Sequence, residues 1–317
     1  MYNLTIKKKT MKRFFAAIAV LALTAGVAFA QDFKAAVDAF NTGAQTLEGN
    51  RTEALAHFRE ALSLAQACEG EEAAELVAKC KEIIPVTLMS IAKEQINEAN
   101  YVAALETLKE ANAVATEYGN EEVATDAAGL VSNVYMRKGS TLLKEKNFAD
   151  AAATFKQLTE IEPENGAAYT LLGQSLMQAG DNDAAIEALT KADELGEAQA
   201  PKLLSSAYLK KGMNFVKAGK NAEAIEALEK SNSYSENANA YKLIASAYTK
   251  SGKSAQAINA YKKYLELSPN AKDSADIIFT IAATAQKAGD KATAKEYYKK
   301  LAGTKYAAQA EAQLKTL

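Results

Sequence analysis

Few residues in this chain could do chemistry. His57, in the run AHFREAL, is the only histidine of 317 residues. An imidazole can serve as a general base or a metal ligand, but here it has no second histidine and no neighbouring cysteine to complete a site. A solvent-facing place on a helix is the reading its surroundings favour. Cys68 and Cys80 are the only thiols. In an oxidising compartment an even pair invites a disulfide. If EEAAELVAKCKEII is one helix, however, Cys80 sits roughly 15 Å along it from Cys68, at 1.5 Å per residue. A bridge requires Cα atoms within about 7 Å. Two small buried hydrophobes are therefore favoured over a bridge.

The acidic pairs Glu71-Glu72 and Glu121-Glu122 stand where helices are expected to begin, and there they complement the helix dipole. Gly180-Asp181-Asn182-Asp183 has the look of a cation loop but lacks the downstream acid such a loop uses. No C-x-x-C, H-E-x-x-H or glycine-rich phosphate loop occurs. The chain is read as non-enzymatic, with no cofactor, no metal site and no catalytic residue.

What the sequence does contain is repetition. Residues 135–155, YMRKGSTLLKEKNFADAAATF, and residues 208–228, YLKKGMNFVKAGKNAEAIEAL, carry one pattern, and variants follow from Tyr169 and Tyr241. Each runs from an aromatic to Gly or Ala, then to Ala, then to Phe, Leu or Tyr. Self-similarity at this period marks stacked two-helix units. Gly139, Gly173, Gly212, Ala245 and Ala282 are the small residues of the first helix. Ala151, Ala185, Ala224, Ala257 and Ala294 answer them on the second, so that the two helices can approach closely. Gly180, Gly219, Gly252 and Gly289 stand at the turns, as left-handed helix caps. With 4 Pro, no Trp and apolar residues at helical spacing, no strand is expected. Tyr135, Tyr169, Tyr208 and Tyr241 recur at one position and are expected in the core.

The spacing resembles the tetratricopeptide repeat, a helix–turn–helix of 34 residues. The unit from Gly166 matches at Tyr169, Leu172, Gly173, Leu176, Ala185, Leu189 and Ala192, and other units end in Pro163 and Pro269. The resemblance implies an all-α, right-handed α-solenoid. About seven units are expected, near 32–67, 85–118, 132–165, 166–199, 205–237, 238–271 and 275–304, with a capping helix over 305–316. The first unit is one residue short between Gly43 and Ala54. Intervals between units vary, and runs such as EEVATDAAGLVSNVYMRKG predict lengthened first helices. Pro85 is expected to start a helix or kink it.

Repeats of this kind line a concave groove with the second, fifth, ninth and twelfth positions of each first helix. By that resemblance the partner-binding residues here are Met89, Met136, Ser140, Leu143, Thr170, Gln174, Met177, Leu209, Met213, Lys242, Ser246 and Phe279. Met89, Met136, Met177 and Met213 are the only methionines after residue 30. Unbranched and polarizable, methionine suits an adaptable binding surface. Met136, Met177, Leu209 and Met213 are expected to form an apolar strip. The family's carboxylate clamp has no counterpart, since Met136 and Ser140 stand where Lys and Asn would be needed.

The N-terminus reads as a signal peptide over residues 1–30. Lys7, Lys8, Lys9, Lys12 and Arg13 precede the apolar run FFAAIAVLALTAGVAFA, which ends in Ala28-Phe29-Ala30. Cleavage is expected after Ala30, giving a periplasmic or secreted protein with no transmembrane segment in the mature chain. Met11 heads a conventional signal by itself, so Met1 and Met11 both stand as starts. Removing residues 1–30 leaves seven more acidic than basic side chains, interspersed along the helices. Nucleic-acid binding would need a concentrated basic stripe, and there is none. The expected function is an exported scaffold that holds a protein or peptide segment in the cell envelope through its groove. The alternative is a self-assembling structural component of an envelope complex.

Overall fold

The computed structural model describes residues 30–317, and the signal-peptide reading lies outside the described residues apart from Ala30. Fifteen α-helices and no strand are found among them. They divide into two units, with the boundary at Lys138 and Gly139, inside the fifth helix.

The first unit contains α1 (Ala30–Thr46), α2 (Arg51–Gln66), α3 (Glu71–Asn97), α4 (Tyr101–Glu117) and the first part of α5 (Glu121–Lys144). Each helix from α1 to α4 packs on the next in sequence, with a light contact between α1 and α3. The core is one continuous stripe running from Phe40 and Phe58 through Leu76, Ile84 and Leu88 to Leu108, Ala127 and Val134. Phe40 and Phe58 meet at 5.4 Å between ring centroids, tilted by 56°. A Cβ on Gly43 would stand 2.9 Å from the Phe58 ring, so the first pair closes tightly although its turn is a residue short.

Pro85 does not begin a helix; it is buried well inside α3. Helices exclude interior proline because a hydrogen bond is lost and the ring crowds the preceding turn. Here the hydroxyls of Thr87 and Ser90 bond back to the carbonyls of Ile83 and Val86, at 2.9 and 3.0 Å. These are back-bonds of the kind that accompany helix bending; the acceptor that Pro85 itself leaves without an amide donor is the Lys81 carbonyl. The helix that carries Met89 therefore starts at Glu71, fourteen positions before the proline.

The second unit contains the rest of α5, then α6 (Phe148–Ile161), α7 (Gly166–Ala179), α8 (Asn182–Glu194), α9 (Ala200–Lys217) and α10 (Asn221–Tyr234). It continues through α11 (Ala238–Lys250), α12 (Ser254–Leu267), α13 (Ser274–Lys287), α14 (Lys291–Lys299) and α15 (Ala307–Leu314). From α6 to α15 contacts run from each helix to the next, with light ones from α7 to α9 and from α9 to α11, and α5 meets α6 at Gly139 and Phe155. That nearest-neighbour pattern is the solenoid's physical signature: among the described residues of this unit, the contacts join helices that are adjacent or next-adjacent in sequence.

Three glycines set the closeness of the hairpins. A Cβ on Gly139, Gly173 or Gly212 would lie 2.5, 2.5 and 2.6 Å from side-chain atoms of Phe155, Leu189 and Leu228. Ala245 and Ala282, at the same repeat position, are fully buried. Large residues of one helix thus fill the volume that small residues of the facing helix leave open. Gly180 takes a left-handed conformation, φ 94°, and its amide closes α7 by bonding to the Leu176 carbonyl. In two other hairpins that left-handed turn falls on Ala99 (φ 59°) and Lys146 (φ 61°), where a side chain is strained.

The recurring tyrosines are not core residues. Tyr135, Tyr169, Tyr208 and Tyr241 are half-buried, whereas Val134, Ala168, Ala207 and Ala240, one position earlier, have no exposed surface. The tyrosine position lies at the rim of the buried stripe, where a ring packs while its hydroxyl reaches water. Tyr208 stacks on Tyr234 at 6.0 Å, and Tyr241 donates to Glu236 at 3.2 Å. Among the described residues no helix is long and apolar enough to cross a membrane.

Candidate functional site

The groove-facing positions divide by what covers them. In the first unit Met89 has 4 % of its surface exposed and belongs to the core stripe, packed within the long helix α3. It offers no open contact, which corrects its assignment to a binding surface. The spacing rule presumes a first helix of ordinary length, and α3 is 27 residues long. Met136 is half-buried in the same unit.

In the second unit Ser140, Leu143, Gln174, Leu209, Lys242 and Ser246 are half-buried. Thr170 is buried and bonds its own helix, Oγ1 to the Gly166 carbonyl at 3.1 Å, and so is not free to meet a partner. Phe279 is covered by the chain itself. The Tyr306 ring stacks on it at 4.6 Å and 18°, and Tyr298 meets it edge-on. Tyr306 also donates to Asp276 at 2.8 Å, and Lys305 pairs with the same carboxylate at 2.5 Å. Gln313 of α15 bonds Gln286 at 2.8 Å. On α13 the capping segment meets Asp276, Phe279 and Gln286, which project at helical spacing, and α15 also packs on α14.

Met177 and Met213 come together. They line a cleft of about 260 Å³ between the end of α7 and the second half of α9. Gly180 and Asn182 complete one wall, while Lys210, Asn214 and Lys217 continue the other. Residues 210, 213, 214 and 217 share one face of α9, since three- and four-residue steps return to the same side of a helix. Met177 is 8 % exposed and contacts the small core of Ala185, Leu189, Leu204 and Ala207. Met213 is 40 % exposed, an unusual position for a large apolar side chain. The pair thus joins a rooted floor to an open lip.

The polar groups around the cleft are unevenly committed. Lys210 Nζ donates to the Met177 carbonyl at 3.2 Å, binding α9 to the C-terminal turn of α7. Asp181 caps α8 through the Ala184 amide at 3.1 Å, and Asp183 pairs with Lys211 at 2.5 Å. Asn182 Oδ1 is buried without a hydrogen-bond partner among the described residues, a condition that Asn221 repeats one hairpin later. The lysines and asparagines escaped the groove assignment because they occupy positions beside the chosen ones. Their common spacing with Met213 was the available signal.

His57 is half-buried on α2, 3.5 Å from Glu60 of the same helix. Both cysteines are free; Cys80 is buried, and Cys68 is only half-buried, its thiol directed at the Leu64 carbonyl. Burial pushes the Cys80 thiol up to about 12. Among the described residues no three His, Cys, Asp or Glu side chains gather as a metal site. Asp273, like Asp276, has two side-chain donors: it accepts from Lys242 and from the Tyr264 hydroxyl, each at 2.5 Å. Those two donors hold its carboxyl below the usual range, and the same bond carries the Tyr264 phenol up to about 12. Lys242, a groove position, is therefore tied to the head of α13.

Two family models, both described as tetratricopeptide repeat, match residues 142–205 and 209–272. No curated protein matches the chain. Among solved structures it is similar to MamA, residues 41 to the end, from Desulfovibrio magneticus RS-1. That match has 20 % identity, covers 54 % of this chain and 92 % of that one, and has a TM-score of 0.36. YrrB, described as a tetratricopeptide-repeat protein with an unusual peptide-binding site, is 17 % identical over 58 % of this chain and 91 % of that one, with a TM-score of 0.37. PilW, described as a type IV pilus biogenesis factor, is 20 % identical over 69 % and 92 %, with a TM-score of 0.32.

Proposed function

We propose that this tetratricopeptide-repeat protein is a non-enzymatic scaffold, exported from the cytoplasm, that holds a protein or peptide segment in the cell envelope or outside the cell. The observation that carries this reading is the cleft of Met177 and Met213. A large apolar side chain left 40 % exposed beside a concavity gains by covering, at about 25 cal/mol for each Å² of apolar surface removed from water. A repeat array supplies such surfaces without a catalytic centre, because stacked hairpins offer a row of similar side chains. Support for export comes from the basic, apolar and small-residue segments of residues 1–30.

The reading is tested in intact cells by placing a photo-crosslinking residue at Met213 and fractionating the products. The expected result is a crosslinked partner in the envelope fraction, joined to a copy of this chain that begins at Gln31. Crosslinks only between copies of this chain would favour the self-assembling component. A protein retained in the cytoplasm with residues 1–30 attached would overturn export.

A further inference from the structure

We infer that the cleft between α7 and α9 receives an acidic segment of a protein partner, anchored by one large apolar side chain between Met177 and Met213. This rests on the scaffold reading and specifies the chemistry of what is held. Of the two acids adjacent to Asn182, Asp183 pairs with Lys211, while Asp181 accepts only from a neutral amide as the cap of α8; neither lines the cleft. No carboxylate side chain lines the cleft, yet Lys210 and Lys217 do. Among the described residues neither lysine has a carboxylate within ion-pair distance. Lys210 spends one of its donors on a neutral carbonyl and retains its full charge.

Outside the N-terminal segment the chain carries more acid than base, so two unpaired lysines around an apolar concavity are a local reversal of its charge. Complementary potential of this kind selects partners and steers their approach. The volume of about 260 Å³ suits one large side chain with adjoining backbone rather than a whole helix. Asn182, with an unpaired buried Oδ1, and exposed Asn214 stand where an extended segment would present amides and carbonyls. No terminal carboxylate is required, because the lysines lie a helical turn or more apart along α9 and can meet side-chain acids.

The test probes an array of random-sequence peptides with the labelled protein. Bound peptides should be enriched in Asp or Glu beside Leu, Ile, Phe or Met, and binding should weaken as salt is raised. Lys217→Glu alone, which leaves the Lys210 contact with α7 intact, should weaken that set at least tenfold. The pair Lys210→Gln and Lys217→Gln should do the same with helix content unchanged. If the bound peptides are neutral or basic, and Met213→Gln still removes them, the acidic partner is wrong while the groove reading survives. If no peptide binds, or if both the lysine and the Met213 variants leave the bound set unchanged, the cleft is not the docking site and both readings fall.

Discussion

Leu189 Cγ lies 2.5 Å from the point where a Cβ on Gly173 would stand. That relationship brings α7 and α8 together, and Gly139 with Phe155 and Gly212 with Leu228 repeat it in the hairpins on either side. Gly173→Ala should cost about 1–3 kcal/mol by overpacking, although alanine is the better helix former. Adding Leu189→Ala to that variant should recover part of the loss, because the new methyl then enters the space vacated by leucine. Urea unfolding of the two single variants and the double completes the cycle. Strict additivity would show that the residues do not meet.

Met177 and Met213 should respond differently to glutamine. Met213→Gln lies at the open lip and should change stability by less than about 0.5 kcal/mol. Met177→Gln removes a side chain from the buried cluster that includes Leu189 and Leu204, and a loss of about 1–3 kcal/mol is expected. Thermal melts followed by circular dichroism decide it. Equal effects would mean that the two are not floor and lip.

How far the fold could be read in advance follows from these contacts. A glycine or alanine facing a larger residue is a local statement about where two helices touch, so Gly139, Gly173 and Gly212 announced the hairpins directly. Which side chains remain open is not local. Met89 is closed by the length of its own helix, and Phe279 by Tyr306, a residue well beyond its hairpin. The tyrosines were misplaced for a related reason, since recurrence marks a constrained position without saying whether it is the centre or the rim of a stripe. Spacing put Met177 and Met213 in one set and the structure places them side by side, whereas the position of Lys210 and Lys217 beside them shows only in three dimensions.

Lys146 holds a left-handed turn at φ 61° that Gly180 makes in the next hairpin at φ 94°. Lys146→Gly should stabilise the protein by up to about 1 kcal/mol, because relief of side-chain strain exceeds the added freedom of the unfolded chain. The complementary change, Gly180→Lys, should destabilise it. A decrease in the urea midpoint for Lys146→Gly would show that the turn is unstrained.

The Asp273 node sets two pH limits on the junction of α11, α12 and α13. Its carboxyl is lowered by Lys242 and Tyr264, so its contribution is fully present above the unfolded value of about 3.9 and is lost as pH falls through the lower folded value. Tyr264 is raised to about 12, so its contribution is present below about 10 and is lost as pH rises through 12. Asp273→Asn should weaken the acid dependence of stability and bring one tyrosine back toward the ordinary range in an ultraviolet titration. An unchanged tyrosine titration would show that the hydroxyl bonds elsewhere.

The cysteines should react in sequence. The half-buried Cys68 should be modified by a thiol reagent under native conditions, while Cys80, buried and raised to about 12, should react only on unfolding. One fast and one slow equivalent, counted by mass spectrometry, is the expected result. Two simultaneous equivalents would contradict the burial of Cys80.

The segment that lays Tyr306 on Phe279 also bears on how such a chain can change its length in evolution. An open-ended stack accepts a duplicated hairpin wherever one helix pair presents the same face as another, and the matching glycines of α5, α7 and α9 keep those faces interchangeable. Beyond α14 the face is taken by a tyrosine, a lysine and a glutamine, Tyr306, Lys305 and Gln313. Copies can therefore be gained or lost among the middle hairpins at little structural cost, whereas addition after α14 would first have to displace Tyr306. The cap acts as punctuation: it leaves the number of interior phrases free and closes the sentence at one end.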